Sequence, residues 1–173
     1  MTATRAALCA LAAWLVAGAA ALAQPAPADP SLAQFLGQRG WVAIQLSENV
    51  FNQLEADVVI EGEHRVRAQI STSFTKTIFD QAAVRKLGLP IEPTSIEISG
   101  SAGKQRLGTV RLQSLAFGET VVGALTIFTA DLDKLVTRAP SGEPVQAVIG
   151  SDFLTRFQAV LEIPTSKLYL RLR

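Results

Sequence analysis

The sequence predicts an all-β domain, a small closed or partly closed barrel carrying two short helices. Three observations predict it. From Gly40 onward the apolar residues fall in runs of five to eight with alternation along several of them. Glycine-containing turns separate these runs at short intervals. Only two stretches carry helical start and stop signals strong enough to interrupt the pattern.

The chain has 173 residues, enough for one domain with a sizeable core. Met1 to Ala23 reads as a secretory signal. Arg5 supplies the positive start, Ala6 to Ala20 is an unbroken apolar run, and Ala21-Leu22-Ala23 ends it as a small-x-small cleavage site. An uncleaved anchor is the other reading of this run, and its alanine richness and cleavage site favour removal. Export, to a periplasm or out of the cell, is therefore expected, with the mature chain starting at Gln24. Residues 24–39 are a proline-rich linker followed by a short segment, Ser31 to Gly37, able to form a turn of helix.

Trp41 to Leu46 is the first expected strand. Leu54 to Ile60 and Arg65 to Ile70 form a pair joined at Glu61-Gly62-Glu63. Thr77 to Leu87 is the clearest helix, with Thr77 as its expected N-cap and Gly88 as its stop. Ile96 to Ser99 and Arg106 to Leu112 flank the tip Gly100-Ser101-Ala102-Gly103, which makes a hairpin. Leu115 to Phe117 and Val121 to Thr129 repeat the strand–turn–strand rhythm. Asp131 to Gly142 reads as a loop with some helix, and Val145 to Ile149 as a short strand. Ser151 to Phe157 is the second helix, with Ser151 as N-cap. Ala159 to Ile163 and Lys167 to Arg173 close the chain. In the last of these, Leu168, Leu170 and Leu172 alternate with Lys167, Tyr169 and Arg171, as in a strand with one buried face.

Composition excludes several functions. The one cysteine, Cys9, lies in the signal and is preceded by Leu8, which does not suit a lipoprotein site; the mature chain then has neither disulfides nor thiolate metal ligands. One histidine, His64, leaves no credible metal site and no evident base for a serine nucleophile. No cofactor is implied. Without Arg5 the cationic residues fall by one and match the 15 acidic ones, so nothing attracts nucleic acid or, after signal removal, a membrane surface. Gly100 to Lys104 superficially suits a phosphate loop. Ile98 stands where an earlier glycine is needed and Gln105 where Ser or Thr should follow, which excludes it.

The order of elements is more specific than any of them alone. A glycine hairpin leads into an apolar strand that ends Ile70-Ser71-Thr72-Ser73-Phe74. A helix ending Lys86-Leu87-Gly88-Leu89 follows, then the Gly100–Gly103 hairpin, further β-pairs, and Val148-Ile149-Gly150-Ser151-Asp152-Phe153-Leu154 with Arg156-Phe157. Over residues 40–173 the chain resembles the bacterial retroviral-type (retropepsin-like) aspartyl proteases. The resemblance implies an acid-protease barrel and a structural segment of Val148, Ile149, Gly150 and Asp152, in which Gly150 supports the active loop from beneath; Asp152 reads as structural, capping the following helix or complementing its dipole. The tip Gly100, Ser101, Ala102 and Gly103 is either a flap over a bound peptide or an ordinary surface hairpin. The family signature is Asp-Thr/Ser-Gly. The matching positions are Ser71, Thr72 and Ser73, so the resemblance implies a degenerate member with no catalytic residue. Asp57, Asp80 and Asp152 are not followed by Thr-Gly or Ser-Gly and do not replace it.

The dyad of such enzymes is two carboxylates about 3 Å apart sharing one proton, one from each subunit of a dimer. Ser71 in both subunits would remove both. Three functions stay open at this point: a pseudoprotease that binds an extended peptide or protein segment, an active endopeptidase through an unrecognised site or a mixed dimer, and a purely structural domain. The resemblance further implies a possible homodimer, with Thr72 bracing the two loops or, as an ordinary turn residue, bonding its own backbone. It leaves the terminal strand Lys167 to Arg173 either in an intersubunit sheet or in the monomer's own fold.

Overall fold

The computed structural model describes residues 31–100, 103–135 and 144–172. The expected signal, 1–23, and the proline-rich part of the linker, 24–30, lie outside the described residues. So do Ser101 and Ala102 of the hairpin tip and most of the 131–142 loop.

Helix α1 (Leu32–Gly37) opens the described chain. Ser31 caps it reciprocally, its Oγ accepting from Gln34 N–H while Gln34 Oε1 accepts from Ser31 N–H. Strand β1 (Trp41–Gln45) and the two-residue β2 (Ser47–Glu48) precede the hairpin β3 (Leu54–Ile60) and β4 (His64–Ile70). Gly62, at φ +75°, turns the chain between them, where a side chain would be strained.

The next element corrects the sequence reading. Residues 78–80 are a strand, β5 (Ile78–Asp80), and helix α2 (Gln81–Lys86) starts only after it. Asp80 is the N-cap, its Oδ2 accepting from Ala83 N–H, and Thr77 is not. Ile78 and Phe79 are fully buried between two neighbouring strands, and that pairing overrides their local helical pattern. Gly88, at φ +69°, ends α2 as expected.

Strands β6 (Glu92–Gly100) and β7 (Gly103–Leu112) form the expected hairpin, with Gly100 opposite Gly103. β8 (Leu115–Phe117) follows. The run from Val121 to Thr129 is two strands rather than one, β9 (Thr120–Val121) and β10 (Leu125–Ala130), because Val122 N–H turns back to the Leu115 carbonyl. A 3-10 turn at Leu132–Lys134 supplies the helix expected after Asp131. β11 (Ala147–Ile149) is followed by α3 (Ser151–Arg156). Its N-cap position is Gly150, not Ser151, and no side chain caps it; Ser151 N–H instead donates to Phe74 O. β12 (Val160–Glu162), a 3-10 turn and β13 (Lys167–Arg171) end the fold.

The larger sheet runs β6-β7-β10-β5-β11-β4-β3-β8-β9, with β2 added to β3. Among the described residues its two ends do not pair with each other, so of the closed or partly closed barrel expected the closed form is not found, and the sheet is mostly antiparallel. Among the described residues three short α-helices accompany it, α1 being the turn of helix expected at 31–37. The main core gathers Val58, Ile60, Ala68, Leu112, Leu115 and Ile149 with many others, and Phe153 of α3 packs on Phe117 and Phe157.

A separate sheet, β1-β13-β12, puts the terminal strand in the chain's own fold, the second of its two expected places. β13 is its central strand, with both hydrogen-bonding edges filled by this same chain. It therefore has no edge to give to an intersubunit sheet. The expected one-sided burial fails at one residue: Tyr169 is as buried as Leu168 and Leu170, and its hydroxyl donates to Glu162 Oε2 at 2.7 Å, while Arg171 stays exposed.

Candidate functional site

Sheet order sets the geometry of the loop at 71–77. β11 lies between β4 and β5, parallel to the first and antiparallel to the second. β4 and β5 are the strands on either side of the loop. The chain leaving β4 at Ile70 must therefore cross over the end of β11 before entering β5. Ile149 is the register partner of Ile70, so the residue beneath the crossing is Gly150. Space there is minimal. A Cβ on Gly150 would lie 2.4 Å from the Lys76 carbonyl oxygen and 2.9 Å from that of Phe74. Gly150 has an ordinary negative φ, so close approach, not backbone conformation, demands glycine.

Hydrogen bonds fasten the loop to what lies below it. Ser71 N–H donates to the Ile149 carbonyl at 3.0 Å, and Ser151 N–H donates to that of Phe74 at 2.8 Å. Thr77 is the hub. Its N–H and its hydroxyl both donate to Asp152 Oδ1 at 2.8 Å, while its Oγ1 accepts from Gly150 N–H at 3.0 Å. Asp152 Oδ1 accepts also from Phe153 N–H at 2.7 Å in the first turn of α3. The carboxylate thus serves the loop as much as the helix. Thr77 is 3% exposed, so without these partners its polar atoms would be buried and unsatisfied.

On top of this support sit Ser71, half-buried, and Thr72 and Ser73, exposed. The hydroxyls of Ser71 and Ser73 are 2.9 Å apart and bond each other. Thr72 makes no hydrogen bond to its own backbone among the described residues; it lines an open groove of about 320 Å³ with Leu154, Gln158, Ala159 and Leu161. Flanking the loop, Phe74 packs with Ile98 of β6 and Phe128 of β10 around a second, smaller cluster built on Ile78, Leu107, Leu132 and Val148. The hairpin is tied down on that side by Gln105, whose side-chain amide donates to Asp131 O and accepts from Asp131 N–H.

The aspartates weighed as replacements are engaged elsewhere. Asp57 faces Arg65 and Arg67 from β3. Asp80 accepts from Ala83 N–H and Leu132 N–H. Asp152 is held under the loop by Thr77. His64 and Ser71 bracket strand β4, so seven residues of extended chain, roughly 23 Å, separate them. A Ser71–His64 pair is excluded by that distance. Among the described residues no group of three or more His, Cys, Asp or Glu could hold a metal ion.

Sequence reasoning set Gly150 beneath the Ser71-Thr72-Ser73 loop, where the fold has it, and gave Asp152 to its helix alone, whereas the carboxylate also holds Thr77. Sequence reasoning missed Thr77 as the hub, having spent that residue on a helix cap. The signal was available in principle: the apolar Ile78-Phe79 pair reads equally as a short buried strand, which frees the preceding threonine for the loop.

A family model described as aspartyl protease matches residues 56–153. Among solved structures, the chain is similar to a retropepsin-like aspartic protease from Rickettsia conorii, at 13% identity over 76% of this chain and 88% of that one, with a TM-score of 0.49. It is similar to EIAV protease in complex with the inhibitor HBY-793, at 15% identity over 67% of this chain and 98% of that one, TM-score 0.49. The retroviral protease-like domain of Ddi1 from Leishmania major is similar at 12% identity over 68% and 87%, TM-score 0.48. No curated protein matches the sequence.

Proposed function

The chain belongs to the aspartyl protease family, and from that premise we propose that it is an exported, retropepsin-like pseudoprotease that holds an extended peptide or partner segment without cutting it. The observation that carries this reading is the pair at the loop's summit. Where the family signature places its aspartate, Ser71 presents an alcohol whose bond partner is a second alcohol, Ser73. Neither hydroxyl ionises near neutral pH, so the loop offers no base for water and no acid for a carbonyl. Each such group is worth roughly 10²–10⁴-fold in rate, and a homodimer facing Ser71 to Ser71 would lack both.

The architecture under the loop argues against simple decay. Gly150, Thr77 and Asp152 still hold the crossing tightly, as a binding surface requires and as hydrolysis no longer does. Phe74, Ile98 and Phe128 supply apolar contacts beside it for alternate side chains of an extended segment. Thr72 bracing the loop across a dimer axis, the Gly100–Gly103 tip closing as a flap and the periplasmic or secreted location belong to the same proposal.

The test is a pair of assays on purified protein. Incubation with an unfolded substrate from about pH 3 to about pH 8 should give no pepstatin-sensitive cleavage; such cleavage would overturn the reading. The double substitution Ser71→Asp with Ser73→Gly should then restore measurable hydrolysis if the supporting site is intact. Failure of a folded, dimeric double variant to cut would favour a purely structural domain.

A further inference from the structure

A second concave surface lies away from the Ser71 loop. It is a groove of about 370 Å³ between α2 and the base of the β6–β7 hairpin. Its apolar wall is Leu89, Ile91 and Pro93, and its polar wall is Gln81, Arg85 and Arg106. No acidic residue lines it. Arg85 and Arg106 make no ion pair or side-chain hydrogen bond among the described residues. Glu97 stands opposite Arg106 in the hairpin register, yet the two do not form an ion pair. Two arginines from different elements thus line one apolar-walled groove with no protein acceptor for their guanidinium donors among the described residues, a pairing of charge and apolar surface suited to a carboxylate beside an apolar side chain.

The strand that reaches the groove through Pro93, β6, has one unpaired edge. β6 is the terminal strand of the large sheet, so its outer N–H and C=O groups have no strand partner. Pro93 and a register irregularity between Pro93 and Glu97 interrupt pairing at the groove end, and the strand is regular from Glu97 to Gly100. A small anion would use the arginines and leave both the apolar wall and the edge idle. An extended peptide uses all three.

We propose that this groove docks an extended segment of a partner protein in which a glutamate or aspartate neighbours an apolar residue. The carboxylate is taken by Arg85 and Arg106, the apolar side chain by Leu89, Ile91 and Pro93, and the segment's backbone pairs with the free edge of β6. The groove's lining shares no residue with the loop at Ser71, although β6 also carries Ile98 and the arm leading to the expected flap.

The probe is a blocked, fluorescein-labelled hexapeptide alternating leucine and glutamate, titrated into the full chain by anisotropy beside its leucine–glutamine counterpart. The acidic peptide should saturate, and the amide peptide should bind about tenfold or more weakly. Arg85→Ala with Arg106→Ala should bring the acidic peptide down to the level of the amide one. Both arginines are exposed, so the variant should fold; if it does not, the glutamate–glutamine comparison on the unaltered chain still decides. Hydrogen exchange should show protection over residues 85–108 and none over 71–77. Equal binding of the two peptides, protection centred on 71–77, or displacement by dodecanoate without protection of β6 would each overturn the proposal, the last by making the occupant a lipid.

Discussion

Thr77 and Asp152 are 75 residues apart in sequence and meet through two hydrogen bonds of 2.8 Å onto a single carboxylate oxygen. This contact joins the loop that follows β4 to the helix that follows β11, and the position of Ser71 depends on it.

Asp152→Ala should therefore destabilise the protein by about 1–3 kcal/mol, because Thr77 N–H and hydroxyl are left buried without an acceptor. Asp152→Asn should cost less, since an amide oxygen can accept the same bonds. Urea denaturation of the two variants checks the ranking; equal losses would mean that the charge, not the acceptor, matters.

Gly150→Ala tests the close approach directly. The added Cβ meets backbone at 2.4 Å, and backbone cannot swing aside as a side chain can. A loss of roughly 1–3 kcal/mol or more is expected, with increased hydrogen exchange across 71–77. A variant as stable as the parent would show that the loop sits higher than described.

Thr129 carries the one buried side-chain polar atom without a partner among the described residues, and the residue is fully buried on β10 opposite Gly108. Replacing the hydroxyl by a methyl group, Thr129→Val, keeps the shape and removes a desolvated donor. The variant should be more stable by about 1 kcal/mol in chemical denaturation. A loss of stability would reveal a partner for the hydroxyl.

The pH dependence has a local source in the small sheet. Thr165 Oγ1 donates to Glu162 Oε2 at 2.6 Å and Tyr169 OH to the same oxygen at 2.7 Å. These bonds, that from Thr165 foremost, hold the Glu162 carboxyl below the ordinary glutamate range, and the bond to Glu162 pushes the Tyr169 phenol up. With a depressed folded value, the carboxylate's stabilisation is complete above its unfolded pKa, about 4.3, and is lost as pH falls through the folded one. The phenol's contribution is present below about pH 10 and is lost as pH rises through its raised value. Glu162→Gln should flatten the acid side of the melting-temperature profile relative to the parent. Parallel acid limbs would rule this group out as the source.

Much of the fold was legible because the signals are local. Gly62 and Gly88 stand where positive φ is needed, and β1, β3, β4, both arms of the hairpin and β11 follow from short apolar runs between breakers, whereas the polar β2 does not. The departures occur where a distant strand outvotes a local pattern. Ile78 and Phe79 left the helix because β10 and β11 pair with them from both sides, and Tyr169 left the surface with its hydroxyl bonded to Glu162 of the neighbouring β12.

The division is sharpest at the candidate site. Chemistry was readable in one dimension: an alcohol at position 71 is an alcohol in any fold, and no arrangement makes it an ionised carboxylate. Placement was not. That Gly150 must lack a side chain and that Thr77 gathers the hydrogen bonds beneath the loop both follow from β11 inserting between β4 and β5. Such an insertion joins segments some eighty residues apart, and pairing between distant segments leaves no periodicity in the chain from which to read it.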